Sequence, residues 1–266
     1  MRFGHFRKFR LQQQLIIFAV CVIWYRESSA DSVTNQAPEP TQRHRIDLTA
    51  IFLDTVSTDT FNAIVGYTYN LSPNTNINVS VPYLDPDTYS AGNSGFGDTV
   101  FSFSYVPSVE VGANPWVPRT VGTGIAVLIP TGDASEGRSA DAWLVSPYVG
   151  LVIPLSDRLF VAPQLGYIHS LDTTADGTDL RLAFADVGLG FVANNGFWSS
   201  YFPQLIRDFE NDDWAINHRI AIGKMFSRNF GLSIDYSFIE RSDFGSNLPG
   251  EDGFDEQLEL NAHFTF

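Results

Sequence analysis

Beyond residue 30 the chain has no cysteine, because its single cysteine is Cys21. That absence excludes a disulfide, a thiolate nucleophile and a cysteine-ligated metal from everything that follows. Long apolar runs are missing too. No stretch in 31–266 approaches the ~20 apolar residues that a membrane-spanning helix needs. Basic residues are scarce. Five of the 16 Lys and Arg and one of the 30 Asp and Glu lie in residues 1–30, which leaves 11 against 29 and a net charge of −18. Such a charge repels nucleic acid and argues against a nucleic-acid partner. Helical periodicity is hard to find anywhere after residue 44.

What is present begins with the N-terminus. "MRFGHFRKFR" carries Arg2, Arg7, Lys8 and Arg10 and no acid, and "LIIFAVCVIW" (15–24) is a ten-residue apolar run. Ser28 and Ala30 put small residues at −3 and −1 of a cut after Ala30. A basic region, a short apolar region and a small-residue cut site form a secretory signal peptide, expected over 1–30. Residues 31–44 are polar with two prolines and read as a short flexible lead.

From 45 to 266 the pattern is alternation with period 2. Twelve strand-like segments are expected, near 46–54, 60–71, 75–83, 97–107, 119–130, 142–154, 159–170, 179–192, 197–207, 214–225, 230–241 and 256–266. They are longer than the ~5–6 residues usual in soluble sheets and match the ~9–11 of a tilted membrane-crossing strand. In 76–83, Ile77, Val79, Val81 and Tyr83 face one way, and Asn76, Asn78, Ser80 and Pro82 the other. In 230–241, Leu232, Ile234, Tyr236 and Phe238 oppose Ser233, Asp235 and Ser237.

The connections alternate as well. "LSPNT", "LSDR", "ANNG" and "FSRN" are tight turns. Between them come longer acidic loops at 84–96, 131–141, 171–178, 208–213 and 242–255, and 107–118 breaks the short class. Tight turns on one side and long loops on the other suit a barrel crossing an outer membrane. Aromatics collect near strand ends. Tyr83, Trp143, Tyr167, Trp214 and Phe238 lie toward the long loops; Tyr69, Phe191, Trp198, Phe230, Phe264 and Phe266 lie toward the turns. Two such groups fit interfacial girdles.

Candidate chemistry is sparse. His44, His169, His218 and His263 are scattered without metal-ligand spacing, and no G-x-S-x-G elbow occurs. The expectation is no enzyme, no cofactor and no metal site, with the acidic loops forming a solvated anionic rim. The inward face is the remaining candidate. Parity places Gln164, Arg181, Asn217, Arg219, Asp235, Glu259 and His263 inside, as pore-lining residues. A twelve-stranded barrel lies between filled and wide-open sizes, so a narrow channel and a plugged barrel both stay open.

Three stretches, "GFGDTVFSFSY" (95–105), "GIAVLIPTGDAS" (124–135) and "AWLVSPYVGLVIPLSDRLFVAPQLGY" (142–167), resemble the outer-membrane family named for the MetA pathway of phenol degradation. The shared features are a G-x-G-D before a strand, a strand ending in P-T-G-D, and a following W-x-x-x-P. Within them Asp98, Pro130, Thr131, Gly132 and Asp133 read as loop and turn residues. The resemblance implies a small outer-membrane barrel and a channel for small molecules, hydrophobic or aromatic ones included, without naming the solute. The C-terminal "LELNAHFTF" also resembles the last strand of outer-membrane barrels, with Leu258, Leu260, Ala262, Phe264 and Phe266 at alternate positions. That likeness implies recognition by the barrel-assembly machinery.

The expectation is therefore an all-β protein, a transmembrane antiparallel up-and-down β-barrel of about 12 strands. It would be exported to a Gram-negative outer membrane, embedded in its lipid, and pass a small-molecule solute. The alternatives are a plugged structural or binding barrel displaying acidic loops, and a soluble secreted β-sandwich that binds a ligand.

Overall fold

The computed structural model describes residues 43–55, 59–84, 94–107, 120–135, 138–172, 179–210, 212–241 and 254–266. The expected signal peptide, nearly all of the lead, and most of the loops at 84–96, 107–118 and 242–255 lie outside them. The strands are β1 (His44–Thr55), β2 (Asp59–Ser72), β3 (Thr75–Leu84), β4 (Gly95–Phe96), β5 (Thr99–Tyr105), β6 (Thr120–Ile129), β7 (Leu144–Pro154), β8 (Leu159–Ser170), β9 (Arg181–Val192), β10 (Phe197–Asp208), β11 (Asp213–Met225), β12 (Phe230–Arg241) and β13 (Phe254–Thr265). The short β4 and β5 both pair with β3, so together they make one interrupted stave. The barrel thus has twelve staves.

Every neighbouring pair is antiparallel. The ring runs in sequence order and closes where β13 pairs with β1, from Arg45 opposite Thr265 to Thr55 opposite Phe254. A single closed sheet overturns the β-sandwich alternative. Closure leaves no open edge for another chain to extend. At the seam the two termini of the sheet are tied by paired backbone bonds: His44 N donates to Phe266 O (3.1 Å) and Phe266 N to His44 O (2.9 Å). The Phe266 ring stacks on His44 at 5.5 Å.

The polarity of the two faces is reversed relative to a water-soluble barrel. Leu165 is 59% exposed and Val187 55%, whereas Ser102 is 0% and Glu259 1%. Along β13 the outward set includes Leu258, Leu260, Phe264 and Phe266, and the inward set is Gln257, Glu259, Asn261 and His263. Aromatics gather at both ends of the outer face. Toward the long loops, Tyr83 meets Phe96 edge-on and Trp214 lies under the Arg207 guanidinium at 4.7 Å. Toward the turns, Phe230 stacks on Phe264 at 5.1 Å. Trp198 departs from the expected girdle: it is buried and faces inward, covering Gly223. The connection expected as a loop over 208–213 is narrower, because β10 runs through Asp208 and β11 starts at Asp213.

Deleting Phe266 removes two backbone bonds and one ring stack from the seam. The truncated chain should show less of the compact, heat-modifiable form on unheated gels. Wild-type recovery of that form would show that the seam does not need it.

Candidate functional site: the lumen

The inward face carries apolar and polar zones that share strands. Along β5–β9, in the half nearer the long loops, it is apolar. Val100, Leu128, Leu144, Ile168, Leu182 and Phe184 belong to one buried cluster. Toward the turns, Trp198, Phe202 and Ala162 form a second, with Phe160 packed against it. These large residues would fill a narrow barrel if they stood upright. They do not, because glycines lie beneath them. A Cβ on Gly166 would fall 2.0 Å from Phe184, one on Gly188 1.9 Å from Phe202, and one on Gly190 2.0 Å from Phe160. Gly223 lies in the same way against Trp198, and Gly124 against Tyr148. Gly166 is the direct cross-strand partner of Phe184, and Gly190 of Phe160. Glycine in a strand marks such a close approach, here by a ring laid against the wall.

A polar row crosses the same face between these two clusters, and polar groups continue around the ring onto β12, β13, β1 and β2. Gln164, Asp186, Gln204 and Asn217 form one row across β8–β11, each the direct partner of the next. Gln204 donates to Asp186 at 3.4 Å. One step along, the Arg219 guanidinium meets Asp235 at 2.5 Å and Glu259 at 3.6 Å. Gln257 donates to Glu259 at 2.8 Å. At the seam, Asp47 receives Arg45 at 2.9 Å and faces His263 Nδ1 at 3.0 Å. On the strands of β1 and β2, Thr49, Asn62 and Thr68 continue the polar lining.

Six of the seven residues expected to line the pore therefore do face inward: Gln164, Asn217, Arg219, Asp235, Glu259 and His263. Arg181 does not. It shares parity with the exposed Val187 and Leu189, and bonds Asp179 and Glu210 at 3.2 Å each on the outer rim. The parity of β9 misleads because its inward set opens with Leu182 and Phe184, which belong to the apolar cluster together with Leu180 just before the strand.

At the mouth on the long-loop side, the two glycine-aspartate motifs meet. Asp98 accepts the amide of Gly132 at 3.0 Å and that of Ala140 at 2.7 Å. Thr131 bonds the Thr99 amide and hydroxyl and the Gly97 carbonyl. Asp133 in turn caps Ser135 and receives the Arg138 amide at its carbonyl. A Cβ on Gly132 would fall 2.2 Å from the Arg138 carbonyl oxygen, so the turn requires glycine. Pro130 ends the strand before this turn. Burial pushes the Asp98 carboxyl up, while the Ala140 amide, the Ser139 hydroxyl and the Gly132 amide pull it back. These residues hold the loop after β6 to the stave formed by β4 and β5.

The family model described as "Putative MetA-pathway of phenol degradation" matches residues 27–253. The chain belongs to that family. Among curated proteins no sequence matches it. Solved structures of similar fold include an outer membrane channel from Pseudomonas putida F1, with a TM-score of 0.62 at 14% identity, covering 87% of this chain and 98% of that one. The KdgM porin gives 0.58 at 10% identity, covering 84% and 99%. The NanC porin gives 0.58 at 11%, covering 83% and 100%. The similar structures are channels and porins, and they share the fold.

Among the described residues no group of three or more His, Cys, Asp or Glu is arranged to hold a metal.

Replacing Asp98 by Ala strands the buried Ala140 amide and the half-buried Gly132 amide. The expected loss is about 1–3 kcal/mol of stability, read as a lower urea midpoint in lipid vesicles. An unchanged midpoint would mean that the loop does not depend on the carboxylate.

Proposed function

We propose that this protein is a narrow, non-enzymatic channel in a Gram-negative outer membrane, passing small molecules down their gradient. The observation that carries the reading is the reversed polarity of a closed barrel. A continuous apolar exterior suits hydrocarbon, and a closed ring satisfies every backbone group there without an edge. The inward glycine, serine and alanine residues are small, and the rings of Phe160, Phe184 and Phe202 lie against glycines of neighbouring strands. The known channels and porins of the same fold support the transport reading. Apolar zones beside a polar row suit small solutes with an apolar part, aromatic molecules among them.

The same reading includes export by the N-terminal signal, contact with outer-membrane lipid, and delivery by the barrel-assembly machinery through the strand that ends in Phe266. Catalysis has no support. His169 and Ser170 are adjacent on β8 and face opposite sides, and His263 faces Asp47. One observation favours a second reading, a plugged structural barrel. The lumen side chains cover one another closely, with Gln257 and Glu259 each 1% exposed.

Planar-bilayer recording of the refolded full chain, paired with solute flux into vesicles, separates the two. Discrete conductance steps and flux of small neutral solutes are expected. A silent bilayer together with no flux would leave the plugged barrel standing.

A further inference from the structure

We infer that the polar wall of the lumen is a cation filter, selecting monovalent cations and small protonated amines over anions. The inference rests on the channel reading above and adds the charge of the solute to it.

Below the mouth, the strands' inward ionisable side chains among the described residues are the carboxylates Asp47, Asp186, Asp235 and Glu259 against the guanidiniums Arg45 and Arg219, with His263 beside Asp47. Both guanidiniums are engaged. Arg45 is held by Asp47, and Arg219 by Asp235 and Glu259. Asp186 is bonded by the Gln204 amide instead. The belt therefore has carboxylate charge left over after its ion pairs are made. At the mouth, Asp208 and Asp213 add two more buried carboxylates, directly paired across β10 and β11.

A second observation is independent of the count. Asn217 and Gln257 are uncharged, yet the Asn217 Oδ1 and Gln257 Oε1 acceptors receive no donor, and neither do Asp186 Oδ1 and Asp235 Oδ1. All four residues are more than nine-tenths buried and face inward. Buried acceptors without donors are costly unless something satisfies them. Oxygens alone, drawn from amides and carboxylates, are what a hard cation or an N–H-bearing ammonium takes in exchange for its water. Buried donor atoms without a hydrogen bond, Arg219 Nε and Asn62 Nδ2, are fewer along this belt, and the Arg219 guanidinium already faces Asp235 and Glu259. In a narrow, low-dielectric passage even a small surplus of one sign is focused strongly.

The test is the reversal potential of the refolded full chain in a potassium chloride gradient, repeated with methylammonium chloride. The expected sign is that of cation flow, with a several-fold preference over chloride for both cations. Asp186→Asn is expected to reduce that preference at least by half while leaving conductance measurable. Gel heat-modifiability reports whether this variant folds, and the wild-type sign decides the question if it does not. A reversal near zero or of anionic sign, or a preference that Asp186→Asn leaves intact, overturns the filter and leaves the channel reading standing. The absence of any conductance overturns both.

Discussion

The pairing of β13 with β1 is the constraint on which the rest depends. A sheet of this length exposes apolar side chains on one face, so an open edge would carry unpaired backbone groups into an apolar surrounding. Closure removes that edge, and it also fixes parity around the ring. A slip of one residue in any pair would turn a whole stave inside out. At the seam the register sets His263 opposite Asp47 and Ala262 opposite Leu48, so ionisable groups meet inside while apolar groups meet outside. The inward location of Asp47 and Glu259, far apart in sequence, follows from this one pairing.

Given fixed parity, the lumen is shaped by what each stave turns inward. On one side, small residues take the weight of large rings. The glycines of β8 and β9 let Phe184, Phe202 and Phe160 lie along the wall. Beside these rings, and on around the ring of strands to β13 and β1, polar groups face one another in rows. The buried ion pairs there do little for stability beyond offsetting their own desolvation, but removing one partner would leave the other uncompensated. Their value lies in fixing where charge sits along the passage.

Much of this was legible in the sequence. Strand length and period-2 alternation gave the twelve staves, because a half-apolar strand repeats its pattern every second residue whatever surrounds it. Parity alone gave the inward direction of six of the seven residues it singled out. Arg181 failed because Leu182 and Phe184 are apolar and yet inward, so hydropathy and direction disagree on β9. Trp198 failed for the same reason on β10. The ring-on-glycine packing and the bond from Asp98 to Gly132 were not legible. Both depend on which stave lies beside which at a given register, and the two motif residues are 34 positions apart. The motifs themselves were visible; their meeting was not.

The central claim is that the apolar face is the outer face and lies in lipid. Because no cysteine occurs after residue 30, single cysteines can be placed at will. Neighbouring positions on β9, Val187 and Asp186, suit the test. Each would be replaced by cysteine, labelled with a fluorophore and quenched by brominated lipid in vesicles. The account predicts strong quenching at 187 and weak quenching at 186, with the alternation continuing along the strand. Equal quenching at the two positions, or stronger quenching at 186, would contradict it.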